Sequence, residues 1–548
     1  MYVRTISRHN KDGSTTTYVQ LAHNVRDPKS GYARANVLYT FGRADSLDVE
    51  AIRRLVRSLC RFISPEDAAE AEARLQSPAL HFVKSVPLGG AYLMRKLWER
   101  LGLERVLDRA LSQREFLSPV EWAIFSMVAN RALAPDSKRG VEEWVREDVA
   151  LGNPEPLLLQ HLYRAMDFLL EHGELVQEEV FFATADLFNL EVDLLFFDTT
   201  STYVECEEEE GLRRYGHSKD KRPDLPQVVI GLAVTKEGLP VRCWVLPGNT
   251  QDMTTVERVK KDLSGWKLSR CIWVMDRGMN SEENRIILQR AGGHYILGEK
   301  LRDRQGVHNE VLSCRGRYRK VKENLEVKEV IVGQGERRRR FVLVYNPEQA
   351  KKDQDTREKT LAKIEEALSA LGDQRGKVHK KAVCAFLAHR TLGRYVKQKK
   401  NGELKINWAK VKAEEHLDGK YLLSTSDDTL SAEDVALGYK QLMEVERAFR
   451  TLKTTLELRP LYHRKDERIQ AHVLLCFLSL LLVRIAERQT GQTWDQIRAV
   501  MERCHLGEFE SKDGRIFQRT ALTSEQANIL KMLNISPPHK LYSVHLKA

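Results

Sequence analysis

Three carboxylates stand where a chain would put side chains that do chemistry. Asp198 follows the apolar run Leu194 to Phe197 and precedes Thr199, Thr200, Ser201 and Thr202, and Asp276 follows Ile272 to Met275. Each reads as an acid delivered to the tip of a buried strand, with a capped turn as the plainer reading. Glu446 comes from a different pattern. At about 100° per residue, Tyr439, Leu442, Glu446, Phe449, Arg450 and Lys453 fall within an arc of about 100° on one helix. A glutamate in the middle of an inward face requires a cation or a basic partner, because burying an unpaired charge is costly. Arg450, one helical turn on, is the ion-pair alternative.

The chain that positions these acids has 548 residues, with 88 Lys plus Arg against 77 Asp plus Glu, a net charge of +11. Its length predicts about three or four domains, and the positive excess favours a polyanionic partner, most commonly nucleic acid. The eight cysteines include no C-x-x-C pair. This argues against a disulfide framework or a cysteine zinc site and fits a reducing cytoplasm. The start, MYVRTISRHNKDGST, has no apolar core of a leader. The longest apolar run, VLLCFLSLLLV between His472 and Arg484, is too short for a bilayer and reads as a buried helix. We therefore expect a soluble cytoplasmic protein that does not enter a membrane. No glycine pair forms a phosphate loop, so no nucleotide cofactor is expected.

The pattern divides the chain into stretches. Residues 1–80 combine strand-like pieces (TTTYVQLAHNV, ANVLYTFGR) with a helix from Ser46, and 81–190 are helical. Within the latter, Ser118 and Pro119 read as an N-cap and first helical residue. Two helices joined by the APDSKR turn, with Arg131, Lys138 and Arg139, have the outline of a DNA-reading pair, an outline many helical domains share. Residues 191–300 alternate strands and helices, with a hairpin at Glu237-Gly238, and predict an α/β mixed sheet. Residues 301–420 interrupt it with charged strands, a charged helix near 354–371 and a basic tract. Residues 421–490 resume the core with a strand and two long helices, at about 431–455 and 467–488. The C-terminal region, 491–548, is mixed.

The spacing of Tyr439, Leu442, Glu446 and Lys453 resembles the tyrosine–arginine–glutamate–lysine signature of DDE transposases encoded by bacterial insertion sequences. FFDTTST, VMDRGM, SPVEWAIFSMVANRAL, YGHSKDKRPDLPQVVIGLAV and PGNTQD look like the same family, so the resemblance covers roughly residues 85–485. It implies an RNase H-like mixed sheet flanked by helices, interrupted by a strand-containing insertion and preceded by a helical domain that recognises DNA ends. In that core Asp198 would end the first strand, Asp276 the fourth, and Glu446 would sit on a helix crossing the sheet edge. Leu442 departs from the signature arginine, and Arg450 or Arg447 would supply that charge if it is needed. The three acids would hold two Mg²⁺ ions, with Mn²⁺ as a substitute, for cleaving and joining phosphodiesters.

The resemblance also implies that Tyr439 and Lys453 contact transposon-end DNA near the cleaved phosphate, with a snorkelling surface lysine as the plain alternative for Lys453. His217, Lys219, Lys221 and Arg222 lie between the first two strands and would grip phosphates or simply be solvated. Imidazole suits magnesium poorly, which argues against His217 as a ligand. Trp408 reads first as a core tryptophan and second as a base-stacking platform of the insertion. The expected activity is cutting at the element's ends and strand transfer into target DNA. Its partners would be double-stranded terminal repeats and target, engaged by a dimer or larger assembly. The rivals are a metal-dependent nuclease and a DNA-binding protein without turnover on the same fold.

Overall fold

The computed structural model describes residues 1–9, 15–26, 33–48, 51–52, 55, 80–111, 119–152, 156–190, 192–266, 268, 271–301, 307–335, 338–372, 376–389, 391–400, 402–511 and 514–546. Two compact units are present. One comprises residues 1–84, 508–517 and 543–548, the other residues 85–507 and 518–542. The first contains an antiparallel sheet of β1 (Tyr2–His9), β2 (Thr15–Arg26) and β3 (Ala33–Arg43) in sequence order. The helix expected from Ser46 lies largely outside the described residues, as does Ser118.

The second unit begins with helices, among them α1 (Gly89–Arg100), α2 (Val120–Leu133), α3 (Lys138–Glu147), α4 (Leu159–Glu171) and α5 (Gly173–Phe188). Every residue of α2 but Trp122 is buried, because its apolar residues run all round rather than down one stripe. Its buried Glu121 is satisfied by Trp98 Nε1 at 2.7 Å and Arg95 Nη1 at 2.5 Å. This placement takes two of the three cations of the DNA-reading outline for α2 and α3 off the outer surface. Arg131 and Lys138 are each only 4% exposed, so of the three expected cations only Arg139 faces solvent.

The core is a sheet of nine strands. Its first half is β4 (Leu194–Tyr203), β5 (Gln227–Thr235), β6 (Pro240–Pro247), β7 (Ile272–Met275) and β8 (His294–Glu299). The order β6-β5-β4-β7-β8, antiparallel among the first three and parallel from β4 through β8, is the RNase H-like arrangement. The hairpin between β5 and β6 turns where expected, with Gly238 at φ 74°. Strand β5 is buried throughout, so both of its faces must be covered. On one face Leu195 and Phe197 pack with Trp244, Trp273 and helix residues Val256, Val259 and Leu263. On the other, Phe196 packs with helix residues from both ends of the unit.

Beyond β8 the sheet continues through β14 (Lys420–Thr425), β11 (Arg339–Tyr345), β10 (Leu325–Val332) and β9 (Arg319–Lys322). The strands expected to belong to the insertion thus extend the core sheet, because β11 finds a complete antiparallel partner in β14. What lies outside the sheet between β11 and β14 is mainly helical. It comprises α6 (Pro347–Gly372), α7 (Gly376–Ala388), the short pair β12 (Val396–Gln398) and β13 (Leu404–Ile406), and α8 (Trp408–Glu415).

The helix expected near 431–455 is broken. It forms α9 (Ala432–Lys440), then α10 (Met443–Arg450), then a wider π turn over Thr451–Thr455. Of the single face predicted for Tyr439 to Lys453, which the break at Gln441 and Leu442 interrupts, Tyr439, Leu442, Phe449 and Lys453 are turned inward while Glu446 and Arg450 are exposed. Helix α11 (Asp466–Thr490) is long and apolar enough to cross a membrane, but 94% of its apolar window is buried within the fold.

Candidate active site

Register brings two of the expected acids together. β4 and β7 run parallel with Phe197 opposite Met275, so Asp198 and Asp276 are the next residues along adjacent strands, which lie about 4.8 Å apart in a sheet. Side chains alternate, placing Asp198 on the face of Phe196 and Asp276 on the face of Val274. Both of those apolar residues belong to the core that contains Val445, Ala448 and Phe449 of α10.

Asp198 does not end its strand. β4 continues to Tyr203, pairing residue by residue with β5, because threonine and tyrosine suit a pleated, half-buried strand. Asp276 follows the last residue of β7 and opens a short 3-10 turn. Tyr439 Oη donates to Asp276 Oδ1 at 3.0 Å. The hydroxyl gets that close because Gly298 on β8 carries no side chain; a Cβ there would lie 2.5 Å from it. Burial, then the Asp276 charge and hydrogen bond, hold the Tyr439 phenol far above its ordinary range, so it remains a donor.

Burial pushes the Asp198 carboxyl up to about 6. Lys219 and the Thr199 N–H, 2.7 Å from Asp198 Oδ1, oppose the rise, while the charges of Asp276 and Asp252 add to it. Asp252 is an acid that sequence reasoning missed. It accepts from Thr199 Oγ1 at 2.5 Å and lies 4.0 Å from Lys219 Nζ. The signal was present in PGNTQD, a stretch noted only as family-like.

Glu446 sits on α10, which packs across β4 and β5, but its side chain is exposed and makes no hydrogen bond or ion pair among the described residues. The expectation of an inward glutamate therefore fails, because Val445, Ala448 and Phe449 take the buried positions. The anticipated pair with Arg450 does not form either. Among the described residues no three His, Cys, Asp or Glu side chains converge on one point. The donors that do approach, Asp198 and Asp276, are hard carboxylate oxygens with too little positive charge around them. That donor chemistry fits magnesium or manganese rather than a soft metal.

The remaining expected residues divide by environment. Lys453 is turned inward by the π turn and is 11% exposed, donating to Ser201 O at 2.7 Å and Asp220 Oδ1 at 2.9 Å. Asp220, 4% exposed, also accepts from Arg459 Nη1 at 2.5 Å. The snorkelling reading of Lys453 is thereby overturned. Lys219 donates to Thr199 O at 2.5 Å and lies beside Asp198. Arg222 is held by Asp224 at 2.8 Å and covers the Tyr203 ring, so it is not a free cation. The His217 ring is exposed, and its carbonyl accepts from Ser201 Oγ at 2.9 Å. Leu442 is buried, Arg447 pairs with Glu444, and Arg450 projects into solvent. Trp408 is 56% exposed, so it is not a core tryptophan; it lies in a groove with Lys397 and Lys405.

Two glycines seat the loops around Asp198. A Cβ on Gly216 would lie 1.9 Å from the Gly248 carbonyl oxygen, and one on Gly248 would lie 2.0 Å from that of Gln227. The loop carrying His217 and Lys219 therefore packs backbone to backbone on the PGN turn. Between them a cavity of about 380 Å³ opens beside Thr199, His217, Lys219 and Asp252. A second, of about 520 Å³, runs from Asp276 and Tyr439 to Arg357 and Arg394 of the helical insertion.

Residues 193–482 match the family described as transposase DDE domain, and residues 3–70 match the IS1634 family transposase, N-terminal domain. Among solved structures, the chain is similar to piggyBac transposase in a synaptic complex with hairpin DNA. Identity is 11% and the TM-score 0.34, over 77% of this chain and 82% of that one. No curated protein matches.

Proposed function

The chain belongs to the DDE transposases of bacterial insertion sequences, and from that premise we propose that it cuts DNA at the ends of its own element and joins them to a target. The observation that carries the reading is the side-by-side placement of Asp198 and Asp276 by the parallel register of β4 and β7. These two carboxylates, with Glu446 from α10 on the same face of the sheet, are the proposed holders of magnesium. When bound, such ions neutralise charge on the phosphate and lower the pKa of an attacking water.

The chain's own groups prepare the site. Tyr439 fixes the orientation of Asp276 by donating to it, a positioning role one step removed from DNA. Lys219 sets a positive charge beside Asp198 and is the loop cation best placed for the phosphate. His217 and Arg450, both exposed, are proposed backbone contacts, and Trp408 between Lys397 and Lys405 is a proposed base-stacking surface. Arg222 and Lys453 contribute through the structure of the loop they brace. Two ends must be held at once, so the proposed active form is a dimer or larger assembly on DNA, acting in the cytoplasm.

The test is a strand-transfer assay with labelled element ends, purified protein and Mg²⁺ or Mn²⁺. Joined products from the wild type, and none from Asp198→Asn or Asp276→Asn, would support the reading. Cleavage without joining would favour a nuclease on the same fold. Binding without cleavage under either metal would favour a silent DNA-binding protein.

A further inference from the structure

A second cluster of ionisable groups lies away from the acids, and its charges are all of the opposite sign. Arg131 at the end of α2, Lys138 at the start of α3 and His472 on α11 are 4%, 4% and 7% exposed, and His463 from the preceding loop is half-buried against them. The His463 and His472 rings lie 5.4 Å apart, and His472 Nε2 is 3.8 Å from Cys476 Sγ. Arg131 donates to the carbonyls of Asp136 and Glu457, not to a carboxylate. Its Nε, and Nδ1 of His472, are buried without a hydrogen-bond partner. No carboxylate pairs with Lys138 among the described residues. The charges acting on the two histidines are those of Lys138 and Arg131, with Arg468 acting also on His463 and His463 on His472. Arg468 is itself held by Asp167 at 2.8 Å.

Folded proteins rarely leave buried donors unpaired or gather buried like charges without a counter-ion. Here burial and mutual repulsion hold Lys138 down to about 7 and His463 to about 4. The cluster is thus depleted of charge until something negative enters. An oxyanion would meet the unpaired Arg131 Nε–H, the unpaired His472 Nδ1 in the tautomer that protonates it, and an ammonium together, which is the chemistry of a phosphate.

Its position in the chain suggests which phosphate. The loop bearing His463 leaves the π turn that holds Lys453 and bonds to the end of β4, the strand of Asp198. Leu461 N donates to Tyr203 O at 3.1 Å, and Glu205 N donates to Leu461 O at 2.8 Å. Beside His463 the loop exposes Tyr462, Arg464 and Lys465 to solvent. We propose that Arg131, Lys138, His463 and His472 form a binding site for a phosphate oxyanion, filled by a phosphodiester of DNA bound at the exposed Tyr462 and Arg464. The choice of DNA rests on the transposase reading; the anion site itself does not.

The test uses the full-length protein and Lys138→Met, which keeps the length of the side chain and suits apolar burial. Affinity for a short duplex of arbitrary sequence is measured across a salt series, and thermal stability is measured with and without inorganic phosphate. We expect the variant to bind the duplex about tenfold more weakly, with the salt slope smaller by about one. Phosphate should raise the wild-type melting temperature and leave that of the variant unchanged. Unchanged duplex binding together with a lost phosphate response would keep the anion site and refute DNA as its source. Unchanged duplex binding with an unchanged phosphate response would overturn the site. If the variant does not fold, calorimetry of the wild type in buffers of different ionisation enthalpy decides at pH 8. Proton uptake on phosphate or duplex binding supports the site, and no uptake with either overturns it. Asp198→Asn separates the two claims, since it should bind as the wild type does yet fail to cleave. If Asp198→Asn cleaves normally, the transposase site is wrong whatever Lys138 does.

Discussion

The acids where β4 meets β7 and the basic cluster under the His463 loop are electrostatic opposites. At the first, the charges of Asp276 and Asp252 act on Asp198, with Lys219 as the nearby cation. At the second, Arg131, Lys138, His463 and His472 crowd together with no acid acting on them among the described residues. A third place shows a buried charge paired within the fold: the Asp220 side chain is buried, and two cations touch one of its oxygens. The contrast teaches that burial alone is not the signal of function here. The signal is burial with the counter-charge left out, which the fold tolerates where a ligand supplies it.

The largest effect should come from the acid edge. Asp198→Asn or Asp276→Asn should reduce end cleavage by on the order of a thousandfold with little change in duplex affinity, read by gel from a single-turnover reaction. Retained cleavage would break the comparison at its first term. Next is the satisfied pair. Asp220→Ala should destabilise the chain by about 3 kcal/mol by stranding Lys453, measured by denaturant unfolding.

The basic pocket makes its own prediction through pH. The Lys138 ammonium is held near 7 in the folded chain against its ordinary 10.5, so between those values the unfolded chain carries a proton that the folded chain lacks. The destabilisation that Lys138 causes is therefore fully present below pH 7 and relieved as pH rises toward 10.5, by at most about 1.4 kcal/mol per unit. The unfolding free energy of wild type minus Lys138→Met should rise across that window. A flat difference would mean that the ammonium is already paired. The smallest effect sharpens the division between ionic and stacking contacts. Trp408→Ala should weaken binding to end DNA by about tenfold without altering the salt slope, whereas Lys138→Met alters it.

Much of the sheet was legible because apolar runs bounded by turn residues announce buried strands, and the parallel pairing of two such runs is what aligns Asp198 with Asp276. The strand beyond Asp198 was misread as a turn, although threonines are as much at home in a strand as in a loop. The break between α9 and α10 was not legible at all. Gln441 and Leu442 are good helix formers, and the interruption appears only in the local bonds, with Glu444 N donating to Gln441 O and Val445 N to Leu442 O. Glu446 lies exposed beyond that break, and Lys453, on the π turn beyond α10, has a buried side chain. Trp408 went wrong for a related reason: spacing reports which face a residue shares, but exposure depends on what else the chain brings to that face. The basic pocket joins residues 131 to 476, a separation over which no local pattern reports.

The paired glycines at 216 and 248 carry a consequence for the gene. Every codon for glycine begins with two guanines, and any change to either of those two bases substitutes a residue with a Cβ or stops the chain. At these two sites such a side chain would collide with a backbone carbonyl oxygen, of Gly248 or of Gln227 on β5, not with a side chain that could swing aside. Insertion-sequence copies drift once they cease to move, so these two codons are places where one base change suffices to retire a copy. Third-base changes there are silent for glycine, so copies that still jump should vary at the third base and be uniform at the first two.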